Sequence, residues 1–260
     1  MYCFLLAALW LLLTGTSAQV LHDPAGSQTP SFTSEPLTDK PTTPPDVAAP
    51  GDAPYWLADI AHQGVAAFNQ DPSAYKVFRN VKEFGAKGML RCLRSLLGLL
   101  LIMTIGDGQT DDTDAINRAI SDGNRASPKS RRSSTTTPAI VYFPPGTYLI
   151  SKSIIDYYFT QLVGNPKSRP VLKASPNFKG MGVIDGDQYQ NDGNQGWTST
   201  SVFFRQIRNF IVDLTAVAPD TGATGIHWPT GQASSLHNIK IVMSSASGTK
   251  HQGLFIENGM

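Results

Sequence analysis

Six carboxylates in the second half of the chain are placed where acid–base chemistry could use them: Asp185, Asp187, Asp192, Asp213, Asp220 and Glu257. Hydrolysis of a glycosidic bond needs a carboxylic acid that protonates the leaving oxygen. An inverting reaction also needs a group that holds the attacking water, about 6.5–9.5 Å away when that group is a second carboxylate. Asp185 and Asp187 lie in IDGDQYQNDGN (184–194), whose glycines and asparagines suit a turn, a sugar contact or a calcium loop. Calcium fails on spacing, because Tyr189 occupies the third ligand position and no glutamate closes the loop. A structural surface loop is the preferred reading. Asp213 sits within a strand-like run and is expected at solvent or a corner.

The elements that must position such groups show a repeat. Ile207-Arg208-Asn209-Phe210-Ile211-Val212 aligns with Leu236-His237-Asn238-Ile239-Lys240-Ile241, and Gly225-Ile226-His227-Trp228 aligns with Gly253-Leu254-Phe255-Ile256. Offsets close to 29 residues, carried by short apolar strands with Gly or Asn corners, are the mark of stacked coils. Asn209 and Asn238 would then stack at one corner, their amides bonding between coils, which is a structural role. The predicted fold class is all-β: a right-handed parallel β-helix with a short N-terminal capping helix.

The opening of that coil stack is legible from residue 107 to 151. Thr110 is the expected cap of a helix, with Asp111, Asp112 and Asp114 in its first turn, where negative charge suits the dipole. Ala115, Ile116, Ala119 and Ile120 form one apolar stripe, and Asp122-Gly123-Asn124 is a stop signal. Ile140 to Phe143 and Thr147 to Ile150 read as strands around a Pro144-Pro145-Gly146 corner. Upstream, the stretch from Tyr55 to Val81 starts with a short helix, WLADIAHQGVAAF (56–68), with Trp56, Ile60, Val65 and Phe68 as apolar points and His62 as a packing or surface residue.

Residues 1–18 read as a secretory signal peptide with an apolar core from Cys3 to Leu13 and small residues Thr16-Ser17-Ala18 at its end. Residues 19–54, rich in Pro, Thr and Ser, read as a disordered leader, and 55–260 as one domain. The expected location is outside the cell, with no membrane contact after cleavage. Only Cys3 and Cys92 are present, so the mature chain has neither an internal disulfide nor a cysteine-based zinc site, and no metal or other cofactor is expected. A net charge of +1 with 16% charged residues argues against nucleic acid and favours a neutral partner.

FGAKG (84–88), DGQTDDTDAI (107–116) and FPPGTYLI (143–150) resemble the opening of the pectate-lyase-like superfamily. With YWLADIAHQGVAAFN (55–69), VLKASPNFKGMGVIDGD (171–187), FFRQIRNFIVDLT (203–215) and GIHWPTGQASSLHNI (225–239), the chain resembles the N-terminal half of fungal exo-β-1,3-glucanases of glycoside hydrolase family 55. The resemblance implies two β-helix halves with the active site between them and the acid glutamate in the other half. It assigns water positioning to Gln232, and to a serine expected where Met260 stands. Trp228 and His251, on coil edges near Gln232 together with His227, are candidate substrate contacts; for Trp228, stacking on a sugar ring and packing in the core or at a corner both stay open. The family's cysteine-rich turn is here ASPKSRR (126–132), so a bridge there is absent. The implied partner is β-1,3-glucan, acted on by a monomer when full length. The implied site is incomplete in this chain, which is expected not to turn over substrate alone and to continue past ENGM. Two alternatives stay open: a non-catalytic glycan-binding or structural β-helix module, and a pectin-active enzyme, which the neutral charge balance disfavours.

One segment interrupts the motif. Met89 to Gly106, MLRCLRSLLGLLLIMTIG, carries leucine on nearly every helical face, and its uninterrupted apolar part is too short to span a bilayer. Its eighteen residues correspond to fifty-four nucleotides, and a translated, retained intron is the expected origin.

Overall fold

The structure, a computed structural model, describes residues 55–88, 109–130 and 133–257. The proposed signal peptide, leader and apolar insert lie outside the described residues. The secondary structure comprises helices α1 (Trp56–Asp59) and α2 (Thr113–Ser121) and strands β1 (Phe78–Asn80), β2 (Ala139–Phe143), β3 (Thr147–Ile155), β4 (Thr160–Gly164), β5 (Val171–Asp185), β6 (Gln206–Asp213), β7 (Ala223–His227), β8 (Ser235–Val242) and β9 (His251–Phe255). Every pairing between these strands is parallel, as stacked coils require.

The registers resolve the stack into three columns. The first runs β1, β2, β4, then the N-terminal parts of β6 and β8, with Ile140 beside Gln161, Gln161 beside Gln206 and Gln206 beside Ser235. The second runs through Leu172, Val212 and Ile241. The third joins Ile184 of β5, Ile226 of β7 and Leu254 of β9. The parallel β-helix read from the 29-residue offsets is therefore the observed architecture. Asn238 donates its amide to Asn209 Oδ1 at 2.9 Å, and Asn209 to the Gly164 carbonyl at 3.1 Å, so the corner ladder spans three coils. Both asparagines have left-handed backbone, which an asparagine tolerates better than other side chains.

Inward residues of all columns form one core, including Val141, Phe143, Ile150, Leu162, Leu172, Ile184, Ile207, Phe210, Val212 and Ile226, each wholly buried. Phe143 and Phe210 meet edge to face at 4.9 Å between centroids, a favourable ring geometry. Helix α2 lays Ala115, Ile116, Ala119 and Ile120 on this core, as its stripe foretold.

Two local expectations are corrected. The cap position of α2 is Asp112, not Thr110; Asp111 accepts the Thr113 N–H at 3.0 Å and takes the capping role from one residue further out. The upstream helix is confined to Trp56–Asp59, and Trp56, Ile60, Val65 and Phe68 are all exposed, so no apolar face was available to stabilise a longer one. His62 stacks on Phe78 with centroids 3.4 Å apart, which makes it a packing residue.

The insert meets a testable geometry. Asp112 accepts the N–H of Lys87 at 2.6 Å and that of Gly88 at 3.4 Å, so the chain returns beside the point where the apolar segment begins. A Cβ on Gly88 would lie 2.6 Å from the Tyr148 ring, which leaves that approach to glycine. Removing eighteen residues between Gly88 and Asp107 shortens the connection that the Asp112 contacts close, and the smaller closure entropy should stabilise by about 1 kcal/mol. Deleting 89–106 should therefore raise the melting temperature by about 2–4 °C and increase soluble yield. A deletion variant that melts lower than the parent, or spliced transcripts that keep these codons, would sink the intron reading.

Candidate functional site

Titratable groups converge at the end of the third column. Ile184-Asp185, Ile226-His227 and Leu254-Phe255 occupy matching positions on three coils, so Asp185 and His227 lie side by side. His227 Nδ1 lies 2.8 Å from Asp185 Oδ1, and Nε2 lies 2.8 Å from Glu257 Oε1. Both acceptors are carboxylates, so an imidazolium donating from both nitrogens satisfies the geometry. Burial alone would lower the His227 pKa, but the bonds and charges of Asp185 and Glu257 outweigh it and hold it above the ordinary value. Tyr189 donates to the same Glu257 oxygen at 2.6 Å, and that bond raises the phenol pKa. The Tyr189 and Phe255 rings lie nearly parallel to the imidazole, at 6.1 and 5.4 Å. Asp185 and His227 are sealed, while Glu257 remains 22% exposed.

A second group is wholly interior. Asp156 and Arg205 are both fully buried, and Arg205 donates to the Asp156 carbonyl at 2.8 Å and lies 4.7 Å over the Trp197 ring. Burial pushes the Asp156 carboxyl up to about 7 despite Arg205 and Arg125. Asp187 accepts the Trp197 N–H at 2.8 Å and is pushed by burial to about 6. The surface-loop reading of Asp185 and Asp187 is thereby corrected: both side chains are buried, Asp185 against His227 and Asp187 against Trp197.

Gln232 sits on the turn between β7 and β8 with its side chain exposed, and its carbonyl accepts the Phe204 N–H at 3.3 Å. Its turn belongs to a series, because Phe159, Phe204 and Ala233 each stand two residues before matching first-column positions and each has left-handed backbone. Trp228 is buried in the core cluster, with 8% exposed, rather than displayed beside Gln232. His251 Nδ1 accepts the Ser244 N–H at 3.1 Å and its Nε2 faces the Ala218 carbonyl at 3.3 Å, so it fastens the loop before β9. Asp213 caps its own corner, accepting from Thr215 at 2.7 Å.

Residues 104–260 match the family described as rhamnogalacturonase A/epimerase, pectate lyase-like. The chain belongs to this family. Over 206 residues, 79% of the chain, it is 52% identical to a glucan 1,3-beta-glucosidase of Cochliobolus carbonum, of which it covers 24%. It is 51% identical over 207 residues to a probable glucan endo-1,3-beta-glucosidase of Arthroderma benhamiae, covering 21%. It is also 43% identical over 205 residues to a non-secreted LysM effector of Penicillium expansum, covering 15%. The chain thus spans about a quarter or less of the length of these family members.

Proposed function

We propose that this chain is the β-helix portion of a secreted glucan 1,3-β-glucosidase that hydrolyses β-1,3-glucan with inversion. The observation that carries the reading is the 52% identity, sustained over 79% of the chain, to a relative named for that activity. The site residue within the chain is Gln232, whose exposed amide on the β7–β8 turn is free to hold the attacking water. The acid lies in a segment outside this chain, so turnover belongs to the longer protein. Secretion rests on residues 1–18, and a neutral glucan suits the net charge of +1 better than an acidic pectin does.

The test uses a full-length homologous enzyme carrying this segment. Gln232→Ala should lower kcat by about 100-fold or more while product affinity changes less than about threefold, because water positioning acts in the transition state. Unchanged turnover of laminarin removes Gln232 from the site.

A second reading is that the segment recognises glycan without cleaving it. It is favoured by the 43% identity to relatives named as LysM effectors rather than as enzymes. Laminarin binding by a full-length protein, with no product released, would select this reading.

A further inference from the structure

A groove of about 700 Å³ opens where the chain enters the first column. Asn69, Gln70, Ser127, Ser134, Thr136 and Thr137 contribute amides and hydroxyls to it. Its two walls are fastened together: Asn69 donates to the Thr136 carbonyl at 3.1 Å, and the Tyr75 hydroxyl to the Pro138 carbonyl at 2.9 Å. The charged groups among its lining residues are both engaged. Arg125 is buried and donates to the carbonyls of Thr137, Ile120 and Tyr158 at 2.7–3.0 Å. Asp71 accepts from the Ser73 hydroxyl at 2.7 Å and the Ala74 N–H at 3.1 Å. Among the described lining residues, such a surface suits a neutral polyhydroxylated ligand, because its two charged groups are already engaged.

Thr137 of the groove wall directly precedes Pro138, the first member of a series of turns that runs to the Gln232 turn. Pro138, Phe159, Phe204 and Ala233 stand at equivalent places on successive first-column turns, and the Ala139 N–H bonds the Phe159 carbonyl at 3.1 Å. Phe159 and Phe204 are in ring contact at 5.3 Å, and Phe204 is 37% exposed. A spacing of about 4.8 Å per coil puts the Gln232 turn about 14 Å from the groove wall. Phe204, immediately before Gln232 in this series, offers an apolar face of the kind that packs on a sugar ring.

We propose that the groove and the Phe159–Phe204 step form one track that binds a neutral oligosaccharide and directs it along the coil stack toward Gln232. The choice of β-1,3-glucan as ligand rests on the proposed function; the neutral polysaccharide class rests on the lining alone.

The experiment titrates the purified 260-residue chain with laminarihexaose, cellohexaose, mannohexaose and a galacturonate hexamer by calorimetry. Laminarihexaose should bind. Phe204→Ala, and separately Ser127→Arg, which fills the groove, should each weaken it by about tenfold with the melting temperature retained. Lys240→Ala, on the second column, should leave affinity unchanged. If Phe204→Ala melts early, Ser127→Arg and the conservative Phe204→Leu decide. Equal binding by parent and variants overturns the track and leaves the glucan reading intact. Binding of cellohexaose or mannohexaose in place of laminarihexaose, lost in both variants, upholds the track and rejects the β-1,3-glucan reading. No binding of any neutral sugar, or tightest binding of the galacturonate, overturns the track.

Discussion

Raising the pH from about 4.5 to about 7.5 should cost this protein on the order of 4 kcal/mol of folding stability, most of it through Asp156. An unfolded aspartate titrates near pH 3.9, whereas burial holds the folded Asp156 at about 7. Between those values the folded chain keeps a proton that the unfolded chain has released. Its contribution is thus complete below about pH 4 and is lost as the pH climbs through 7. The distance between the folded and unfolded values corresponds to about 4 kcal/mol. Asp187, held at about 6, acts in the same direction over a narrower window. So does His227, whose raised pKa gives stability that is complete below its unfolded value and lost above its folded one.

Asp111 opposes them only in acid. Burial would raise its pKa, but the bonds from Ser151 and Thr113 outweigh burial and lower it, so its contribution disappears below about pH 4. Urea unfolding across this range should therefore give a maximum near about pH 4–5 and a decline toward neutrality. Asp156→Asn should remove about one proton from the slope between about pH 5 and 7.5. A flat profile, or a variant with the parent's full slope, would refute the assignment.

What the sequence disclosed and what it hid follow from range. The 29-residue offset was legible because Ile207 and Leu236, or Asn209 and Asn238, sit on consecutive coils with little inserted between them. The α2 stripe was legible because helical periodicity is local. Asp185 and His227 are also neighbours between coils, yet they lie 42 residues apart because the 186–205 excursion breaks the offset. The repeated step Ile184-Asp185, Ile226-His227, Leu254-Phe255 is the signal that could have joined them. Whether Trp228 faces a sugar or the core depends on which way one strand end turns, and no periodicity extends past Gly225-Ile226-His227 to decide it. The short upstream helix had helical spacing without an apolar surface to receive it, which only the packing reveals.

His227→Ala should be the most destabilising single change outside the apolar core, by about 3–5 kcal/mol. The imidazole is fully buried and supplies the hydrogen bond at 2.8 Å to the Asp185 carboxylate, itself 1% exposed. Without it, the partner left to Asp185 among the described residues is the Asp187 N–H at 3.0 Å, and the carboxyl remains buried. Glu257 suffers less, because it is 22% exposed and retains Tyr189. For a folded domain of this size the melting temperature should drop by about 10 °C. His227→Gln, which keeps one donor, should lose less. The cause separates from simple loss of packing in a double-mutant cycle with Asp185→Asn. Because the neutral amide needs no cation, adding His227→Ala to that variant should cost at least about 1 kcal/mol less than adding it to the parent. Equal costs in both backgrounds would mean that packing between Tyr189 and Phe255, and not charge, is what His227 contributes. The same cycle bears on the proposed site, since Glu257 follows β9 and its tether to His227 and Tyr189 fixes where the chain leaves the last described coil.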